Sequence, residues 1–242
     1  YPLSAAPPRQ DETLKARARL IRSAGMRVCL TDFSARACVD ACLETFQLLS
    51  QQNCQLVVVH HGLFWPSLSK LTGATAKSVE FLLQKGISLY ANHLPLDCHP
   101  LYGNNAQIAQ LLNGQMDVVF PPVGWMVELE QSMPIETFHA NVQAKIGPAR
   151  LLHHGKSTVK RIAISSGGAS NSMIGDALKL GADLFLTGEA SHPIFHASKE
   201  AGLNMILAGH YATETWGVKA LMPLLEQQFG VQTTFVDVPT GF

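Results

Sequence analysis

The chain has no excess charge of either sign and no long apolar run. Its 242 residues include 18 lysines and arginines and 18 aspartates and glutamates, so the formal net charge is zero. This balance argues against a general nucleic-acid-binding or membrane-binding surface. No apolar run approaches the roughly 18 residues that a membrane-spanning helix needs. We therefore expect neither a membrane segment nor a nucleic-acid partner.

The cysteines are few and irregularly spaced. There are five of them, and their pattern fits neither a disulfide framework nor a cysteine-only zinc site. Cys38 and Cys42 are four apart, which predicts a small buried pair on one face of a helix. A reducing compartment is the default for such a chain, so we predict a cytoplasmic location. A mitochondrial address is the alternative, because basic residues are frequent between residues 9 and 27.

Strands and helices alternate along most of the chain. The apolar fraction of 47% predicts a well-filled core. The predicted strands are 26–31, 55–60, 87–91, 161–165, 183–187, 205–208 and 233–237. The predicted helices are 35–50, 71–85, 135–146, 171–180, 193–201 and 213–228, with one more that Asn104 or Asn105 would cap.

This order of elements predicts an α/β fold of two facing lobes with mixed sheets. We place the first lobe at residues 1–116 and the second at residues 117–242. The second lobe begins with a β-rich stretch around 117–160, which contains short β-like runs near 117–120 and 126–129. The final strand belongs to the second lobe or returns to the first.

Short polar segments follow four of the apolar runs. They are His60-His61-Gly62, His93 to Asp97, Thr187-Gly188-Glu189, and Gly209-His210 followed by Glu214. In open α/β sheets, ligands bind at the carboxyl ends of the strands. Three imidazoles and two carboxylates that converge there would suit a pair of divalent transition metals.

Each pair of candidate ligands has a plainer explanation as well. Adjacent strand residues point in opposite directions, so His60 and His61 can both bind metal only where the chain turns, and Gly62 permits such a turn. Otherwise one histidine is buried in the core and the other is exposed. Glu214 could instead be a charge favourably placed at a helix N-terminus. The second His-His-Gly, His153-His154-Gly155, has no acidic residue near it in sequence and predicts an ordinary loop.

Three further residues are candidates for proton transfer. Glu189 follows a buried strand, and His192 precedes Pro193, which suits the first position of a helix. His93 precedes Pro95, which predicts a rigid connector instead of a helix. For His93, a loop histidine exposed to solvent or bonded to the backbone is the alternative.

The charge of such a centre predicts its chemistry. Asp97 and Glu214 would neutralise only half the charge of two divalent cations. The remainder would favour a bridging hydroxide and attract an anionic substrate such as a phosphate ester. Mixed imidazole and carboxylate ligands predict zinc, iron, manganese or nickel.

These segments together resemble the Nif-three-like family, whose bacterial members are often named GTP cyclohydrolase type 2 homologues. The matching residues are His60-His61-Gly62, the run from His93 to Asp97 with Gly103-Asn104-Asn105-Ala106 after it, Thr187-Gly188-Glu189, and the run from Gly209 to Glu214. The resemblance implies a two-lobed α/β fold and a dinuclear metal site. The ligands it implies are His60, His61, Asp97, His210 and Glu214. It also implies a toroidal homohexamer.

This chain departs from the family pattern in two places. It lacks an Asp-Asn-x-Gly element near its N-terminus, and it has Thr215-Trp216-Gly217 where bacterial relatives often have Arg-Gly-Gly. The resemblance and the residues together favour a metal-dependent hydrolase that attacks a C–N or P–O bond in a nucleotide-like or phosphorylated small molecule. A metal-binding scaffold, metallochaperone or regulatory partner without catalysis is the alternative. A DNA-encircling ring is a weaker third reading, because the net charge is zero.

Overall fold

The first sheet is built mainly from the N-terminal half of the chain. The computed structural model describes residues 34–66 and 70–242, so the strand predicted at 26–31 lies outside the described residues. Four parallel strands pair in the order β10-β1-β2-β3. Their bounds are β1 Ser34–Asp40, β2 Leu56–His61, β3 Ser88–Ala91 and β10 Gln232–Phe235.

The second sheet is mixed and has six strands. Their order is β4-β5-β7-β8-β9-β6, in which β7, β8 and β9 are parallel and the other pairings are antiparallel. The bounds are β4 Gly114–Phe120, β5 Gly124–Pro134, β6 Arg150–Leu152, β7 Thr158–Ala169, β8 Leu184–Ala190 and β9 Asn204–Leu207. The mixed α/β architecture predicted from the sequence is confirmed.

Eight helices accompany these sheets within the described residues. They are α1 Leu43–Ser50, α2 Gly73–Lys85, α3 Leu94–Asp97, α4 Asn104–Leu111, α5 Ile135–Lys145, α6 Asn171–Lys179, α7 His192–Glu200 and α8 His210–Phe229. None of them is long and apolar enough to cross a bilayer.

The longest helix links the two sheets. The helix α8 packs against β1 and β2 of the first sheet, against β7 and β8 of the second, and against α4. The final strand, β10, then pairs with β1, so the chain returns to the first sheet after leaving the second. The lobe boundary predicted between residues 116 and 117 stays a prediction.

Apolar side chains on both faces of the central strands form the core. In the second sheet, Ile162, Ile164, Leu184 and Leu186 are fully buried against the helices that cover the sheet. Parallel strands are covered on both faces, which favours near-continuous apolar runs. This burial fixes the strand register, and the register in turn fixes where the polar residues at the strand ends lie.

The helix predicted at 35–50 is wrong in its first half. Residues 34–40 form the strand β1, which lies between β10 and β2, and the helix begins only at Leu43. Pairing on both edges of β1 overrides the weak helical preference of its local sequence. Cys38 lies in β1 and Cys42 just precedes α1, so the prediction that they share a helix face is wrong.

Two predictions near Asp97 are also wrong. Residues 94–97 form the one-turn helix α3, because Pro95 lies in the first turn, where its missing N–H is not needed. The N-cap of α4 is Gly103, and Asn104 and Asn105 lie inside the helix. The side chains of both asparagines are therefore available for bonds elsewhere.

Candidate metal centre

Two histidines at the end of β2, His60 and His61, belong to one cluster of polar side chains. The other members of this cluster are Asp97, His210 and Glu214. His60 is completely buried, and the side chain of His61 is 17% exposed. Each is oriented through its Nδ1 atom: that of His60 lies 3.2 Å from the backbone oxygen of Asn92, and that of His61 lies 2.8 Å from Oδ1 of Asp40. Their Nε2 atoms therefore both point at carboxylates in the cluster.

The first group of three potential ligands is buried. The Nε2 atom of His60 lies 3.3 Å from Oδ2 of Asp97 and 3.5 Å from Oε1 of Glu214. Their side chains are at most 5% exposed. One ligand atom from each of these residues lies within 4.8 Å of the other two. This spacing allows all three side chains to bind one ion.

The second group uses the other oxygen of the same glutamate. Oε2 of Glu214 lies 3.2 Å from Nε2 of His61 and 3.1 Å from Nε2 of His210. Both His210 and Glu214 lie in the first turns of α8, four residues apart, so they share one face of the helix. Glu214 therefore belongs to both groups, one oxygen to each.

A glycine in the second sheet makes room for Glu214. Gly167 lies in β7 with a φ of +67°, and a Cβ atom there would fall 2.3 Å from Oε1 of Glu214. Thr213 accepts a hydrogen bond of 3.0 Å from the backbone N–H of Gly167, which ties β7 to the start of α8. A larger side chain at this position would therefore displace the shared carboxylate.

Carboxylates also stand behind two of the histidines. Glu189, near the end of β8, lies 2.9 Å from Nδ1 of His210. Asp40 has the corresponding position behind His61, 2.8 Å from its Nδ1 atom. Such an outer partner fixes the tautomer and ring orientation of a histidine and leaves Nε2 free to bind a metal. Glu189 therefore acts on the site through His210.

Asp97 is held by two neutral donors. Its Oδ1 atom accepts hydrogen bonds from Nδ2 of Asn104 at 2.8 Å and from the hydroxyl of Ser166 at 3.0 Å. Asn104 in turn accepts a bond of 2.7 Å from the backbone N–H of Gly217 in α8. One oxygen of Asp97 is thus fixed by the scaffold, and the other faces His60.

In the metal-free protein, the ion pairs within the cluster shift the pKa values of His60, His210 and Glu214. Burial opposes protonation of His60, but the carboxylates of Asp97 and Glu214 beside its Nε2 atom outweigh it and raise the pKa of His60 to about 9. The carboxylate of Glu214 likewise raises the pKa of His210 to about 9. Burial would raise the pKa of Glu214, but His210 and His60 lower it to about 2.

The arrangement fits metal ions better than it fits a hydrogen-bond network. His60 Nε2 and Glu214 Oε2 are buried and make no hydrogen bond of normal geometry, although both lie close to groups of opposite charge. Two ligand atoms, each about 2.1 Å from one tetrahedral ion, are about 3.4 Å apart. The separations of 3.1–3.5 Å within the two groups match this value.

The three residues proposed for proton transfer lie at different distances from the cluster. His93 forms a third group of potential ligands with His60 and His61, and its ring centroid lies 4.9 Å from that of His60 and 5.1 Å from that of His61. Its pKa is lowered by burial and by the charge of the two histidines. Glu189 contacts His210. His192 is exposed, its ring is 5.8 Å from that of His196, and it is not among the described residues that line the cavity.

The sequence analysis missed three residues that support the site: Asp40, Asn104 and Ser166. Asp40 follows the apolar run Ala37-Cys38-Val39 and is itself a polar residue at a strand end, so the same pattern could have identified it. The helix predicted over this segment hid that signal. Asn104 is named from the sequence as a possible helix cap and as part of the family motif, but without a role at the site. No local pattern singles out Ser166.

Comparison with known proteins places the chain in a family. The family described as Duf34/NIF3 (NGG1p interacting factor 3) matches residues 33–241. A protein of Pyrococcus horikoshii named GTP cyclohydrolase 1 type 2 homolog is 41% identical over 211 residues, which cover 84% of this chain and 83% of that protein. An Archaeoglobus fulgidus protein of the same name is 35% identical over 208 residues, with the same coverage of both chains.

A solved structure shows the same fold. That of TTHA1606 from Thermus thermophilus superposes with a TM-score of 0.80 at 34% identity, covering 96% of this chain and 99% of that one. The match extends over nearly the whole of both chains. The fold, the sequence similarity and the family match lead to one conclusion, that this chain belongs to the DUF34/NIF3 family.

Proposed function

We propose that this protein is a dinuclear-metal-dependent hydrolase that acts on a nucleotide or a phosphorylated small molecule. The observation that carries the proposal is the sharing of Glu214 between two groups of ligands, one with His60 and Asp97 and the other with His61 and His210. A carboxylate that serves two groups with separate oxygens is suited to bridge two ions.

The ligand chemistry narrows the choice of ions. Three imidazoles and two carboxylates favour zinc, iron, manganese or nickel over magnesium or calcium. Two such ions would activate a water molecule for attack and stabilise the negative charge that develops on the substrate. The relatives' name, GTP cyclohydrolase 1 type 2 homolog, supports a C–N bond of a nucleotide ring as the target.

The chain's own residues would hold the ligands and move protons. Asp40 and Glu189 keep the Nε2 atoms of His61 and His210 directed at Glu214. His93 lines the cavity, and its lowered pKa leaves the ring neutral near pH 7, so it can accept a proton from a substrate. Glu189 is then a positioning residue, and a catalytic role for His192 stays a prediction.

Elemental analysis of the purified protein is the direct test. We expect about two transition-metal ions per wild-type chain, and fewer in His61→Ala purified in the same way without chelator. His153→Ala is the matched control, because it alters the other His-His-Gly and should leave the metal content unchanged. If neither wild type nor control contains metal or takes it up on addition, the proposed metal centre is wrong.

Turnover is the second test. Metal-loaded wild type should hydrolyse a member of a nucleotide panel with saturable kinetics, and Asp97→Ala should lose that activity by at least about 100-fold. Wild type with two ions per chain and no turnover on the panel would favour the second candidate. That candidate is a metal-binding scaffold, metallochaperone or regulatory partner, which the family's description as an interacting factor supports.

The proposed assembly is a toroidal homohexamer in the cytoplasm. Light scattering of the full chain measures the oligomeric state directly, and a mass of six chains is the expected result. Repeating the measurement after chelation tests whether assembly depends on metal, as a scaffold would require.

A further inference from the structure

A wide cavity lies in front of the two ligand groups. Its volume is about 750 Å³, which is within the range of cavities that bind drug-sized ligands. His61, His210 and Glu214 line it together with Asp97, so a molecule inside the cavity reaches the proposed ions. The rest of the lining therefore decides what kind of molecule binds.

The wall beside the histidines is aromatic and partly open to solvent. Trp65 is 45% exposed. Its ring centroid lies 5.2 Å from that of His93 and 5.9 Å from that of His61. The ring of His93 meets the indole edge-on at 79°, that of His61 is tilted at 45°, and nearly half of the Trp65 surface stays accessible. Aromatic faces of this kind stack with the flat rings of nucleobases.

The apolar part of the lining continues this wall. Leu94 is 49% exposed, and Pro122, Val123 and Met173 also line the cavity. An apolar surface in contact with water is best covered by an uncharged, flat group. The cavity lining also includes the hydroxyl-bearing residues Ser165, Ser166 and Thr240.

The charges of the lining point to the same ligand. Among the described residues that line the cavity, three are carboxylates and none is a lysine or arginine. Asp97 and Glu214, with Asp40 and Glu189 behind the histidines, provide four carboxylates. Together they would balance the charge of two divalent ions fully, whereas Asp97 and Glu214 alone would balance half of it.

We propose that Trp65 and His93 form a stacking face for an uncharged heterocyclic ring, and that the cavity binds nucleosides at least as well as their triphosphates. The ring lies against the aromatic wall, next to the ligand groups. Phosphates attached to it meet no lysine or arginine among the described residues of the lining and contribute little to affinity. This inference rests on the proposed function and narrows its substrate class.

Calorimetric titration of the full chain loaded with zinc tests the charge preference. The probes are guanosine, GMP and GTP. We expect guanosine to bind within about threefold of GTP or more tightly, because the four carboxylates balance the charge of the zinc ions and the described lining residues include no lysine or arginine to bind the phosphates. Zinc content is measured again after each titration, since triphosphates chelate metal. GTP binding more than about tenfold tighter than guanosine, with zinc retained, would contradict the inference.

Substitution of the tryptophan tests the stacking face. Trp65→Ala should weaken guanosine binding about five- to a hundredfold, the range for losing one base–aromatic stack. Trp65→Phe should restore most of the affinity, and all variants should retain their zinc. Phe64→Ala is the matched control, because Phe64 is 67% exposed and is not among the described residues of the cavity lining.

Fluorescence reports the contact itself. Guanosine should quench part of the tryptophan emission of the zinc-loaded wild type, and this change should vanish in Trp65→Phe although guanosine still binds. Unchanged guanosine affinity in Trp65→Ala, or no guanosine binding to fully loaded wild type, would reject the inference.

The two proposals can fail separately. Binding with the predicted preference but no hydrolysis would reject the proposed activity and keep the stacking site. Hydrolysis of a nucleotide by Trp65→Ala at the wild-type KM would keep the activity and reject the stacking site.

Discussion

The same tripeptide, His-His-Gly, occurs twice in this chain with opposite outcomes. His60-His61-Gly62 ends a buried strand, and both rings point at the shared carboxylate of Glu214. In His153-His154-Gly155, the first ring lies 3.4 Å from Glu136, with both side chains exposed. The second ring lies 3.1 Å from the hydroxyl of Ser198.

The difference lies in what surrounds each pair. The first pair meets acidic side chains from distant parts of the chain, because parallel strands bring their carboxyl ends to one edge of the sheet. The second pair follows a short strand at the sheet edge and meets one exposed glutamate. In this chain, the histidine pair that meets the largely buried carboxylates Asp97 and Glu214 is the candidate metal site, and the pair beside an exposed glutamate is not.

Removing the shared carboxylate of Glu214 should have the largest effect on the difference between the two histidine pairs. Glu214→Gln weakens both ligand groups at once, so we expect the metal content to fall from about two ions per chain to nearly none. Glu136→Gln makes the same chemical change beside the other histidine pair and should leave the metal content unchanged. Elemental analysis of both variants decides, and retention of metal by Glu214→Gln would show that Glu214 is not a ligand.

The carboxylates behind the histidines should have the next largest effect. Asp40→Asn and Glu189→Gln keep the shape of the side chain but remove its charge, so each should lower metal affinity about 10- to 100-fold. Competition with a chelator of known affinity measures the loss. Equal affinity in wild type and both variants would mean that these residues do not orient the ligands.

The two histidine pairs should also differ in how pH changes their contribution to stability and metal binding. In the metal-free protein, the raised pKa values of His60 and His210 stabilise the folded state fully below pH 6.5, and this contribution is lost as the pH rises to about 9. Metal ions compete with these protons, so the apparent metal affinity should rise over the same interval. The pKa of His154 is lowered instead, by burial and by nearby positive charge.

Urea unfolding of the metal-free protein at pH 6, 7.5 and 9 tests the sign of this effect, and metal titrations at the same three values test the competition. His60→Ala is expected to flatten both profiles, whereas His154→Ala is expected to leave their direction unchanged. Stability that rises steadily between pH 6.5 and 9 would contradict the protonation we describe.

The smallest expected effect is that of His153→Ala. Its ion pair with Glu136 joins two exposed side chains, and such pairs contribute little. We expect the free energy of unfolding to change by no more than about 0.5 kcal/mol. Urea denaturation at pH 7 measures it, and a larger loss would show that the second histidine pair has a structural role.

Much of the fold follows from the sequence because the buried strands are apolar and separated by clear helical patterns. The strands at 161–165, 183–187 and 205–208 agree with β7, β8 and β9, although β7 extends well beyond its predicted ends. The first strand was mistaken for a helix, since Ala35 to Cys38 has no strong preference of its own. Its partners, β10 and β2, lie up to nearly 200 residues away along the chain.

The candidate site was predictable in its ligands but not in its support. Five polar residues at strand ends or at the start of a helix could be named from their positions, and the structure brings all five together. The hydrogen bonds of Asn104 and Ser166 to Asp97 depend on how the two sheets pack. The room that Gly167 leaves for Glu214 depends on the same packing, and no local pattern encodes it.

The position of Glu214 has a consequence for how the centre fills. If Glu214 bridged two of the proposed ions, their occupancies would be interdependent, because each ion would draw on the charge of the carboxylate that the other needs. A metal titration of the metal-free protein would then depart from the curve of two equal and independent sites.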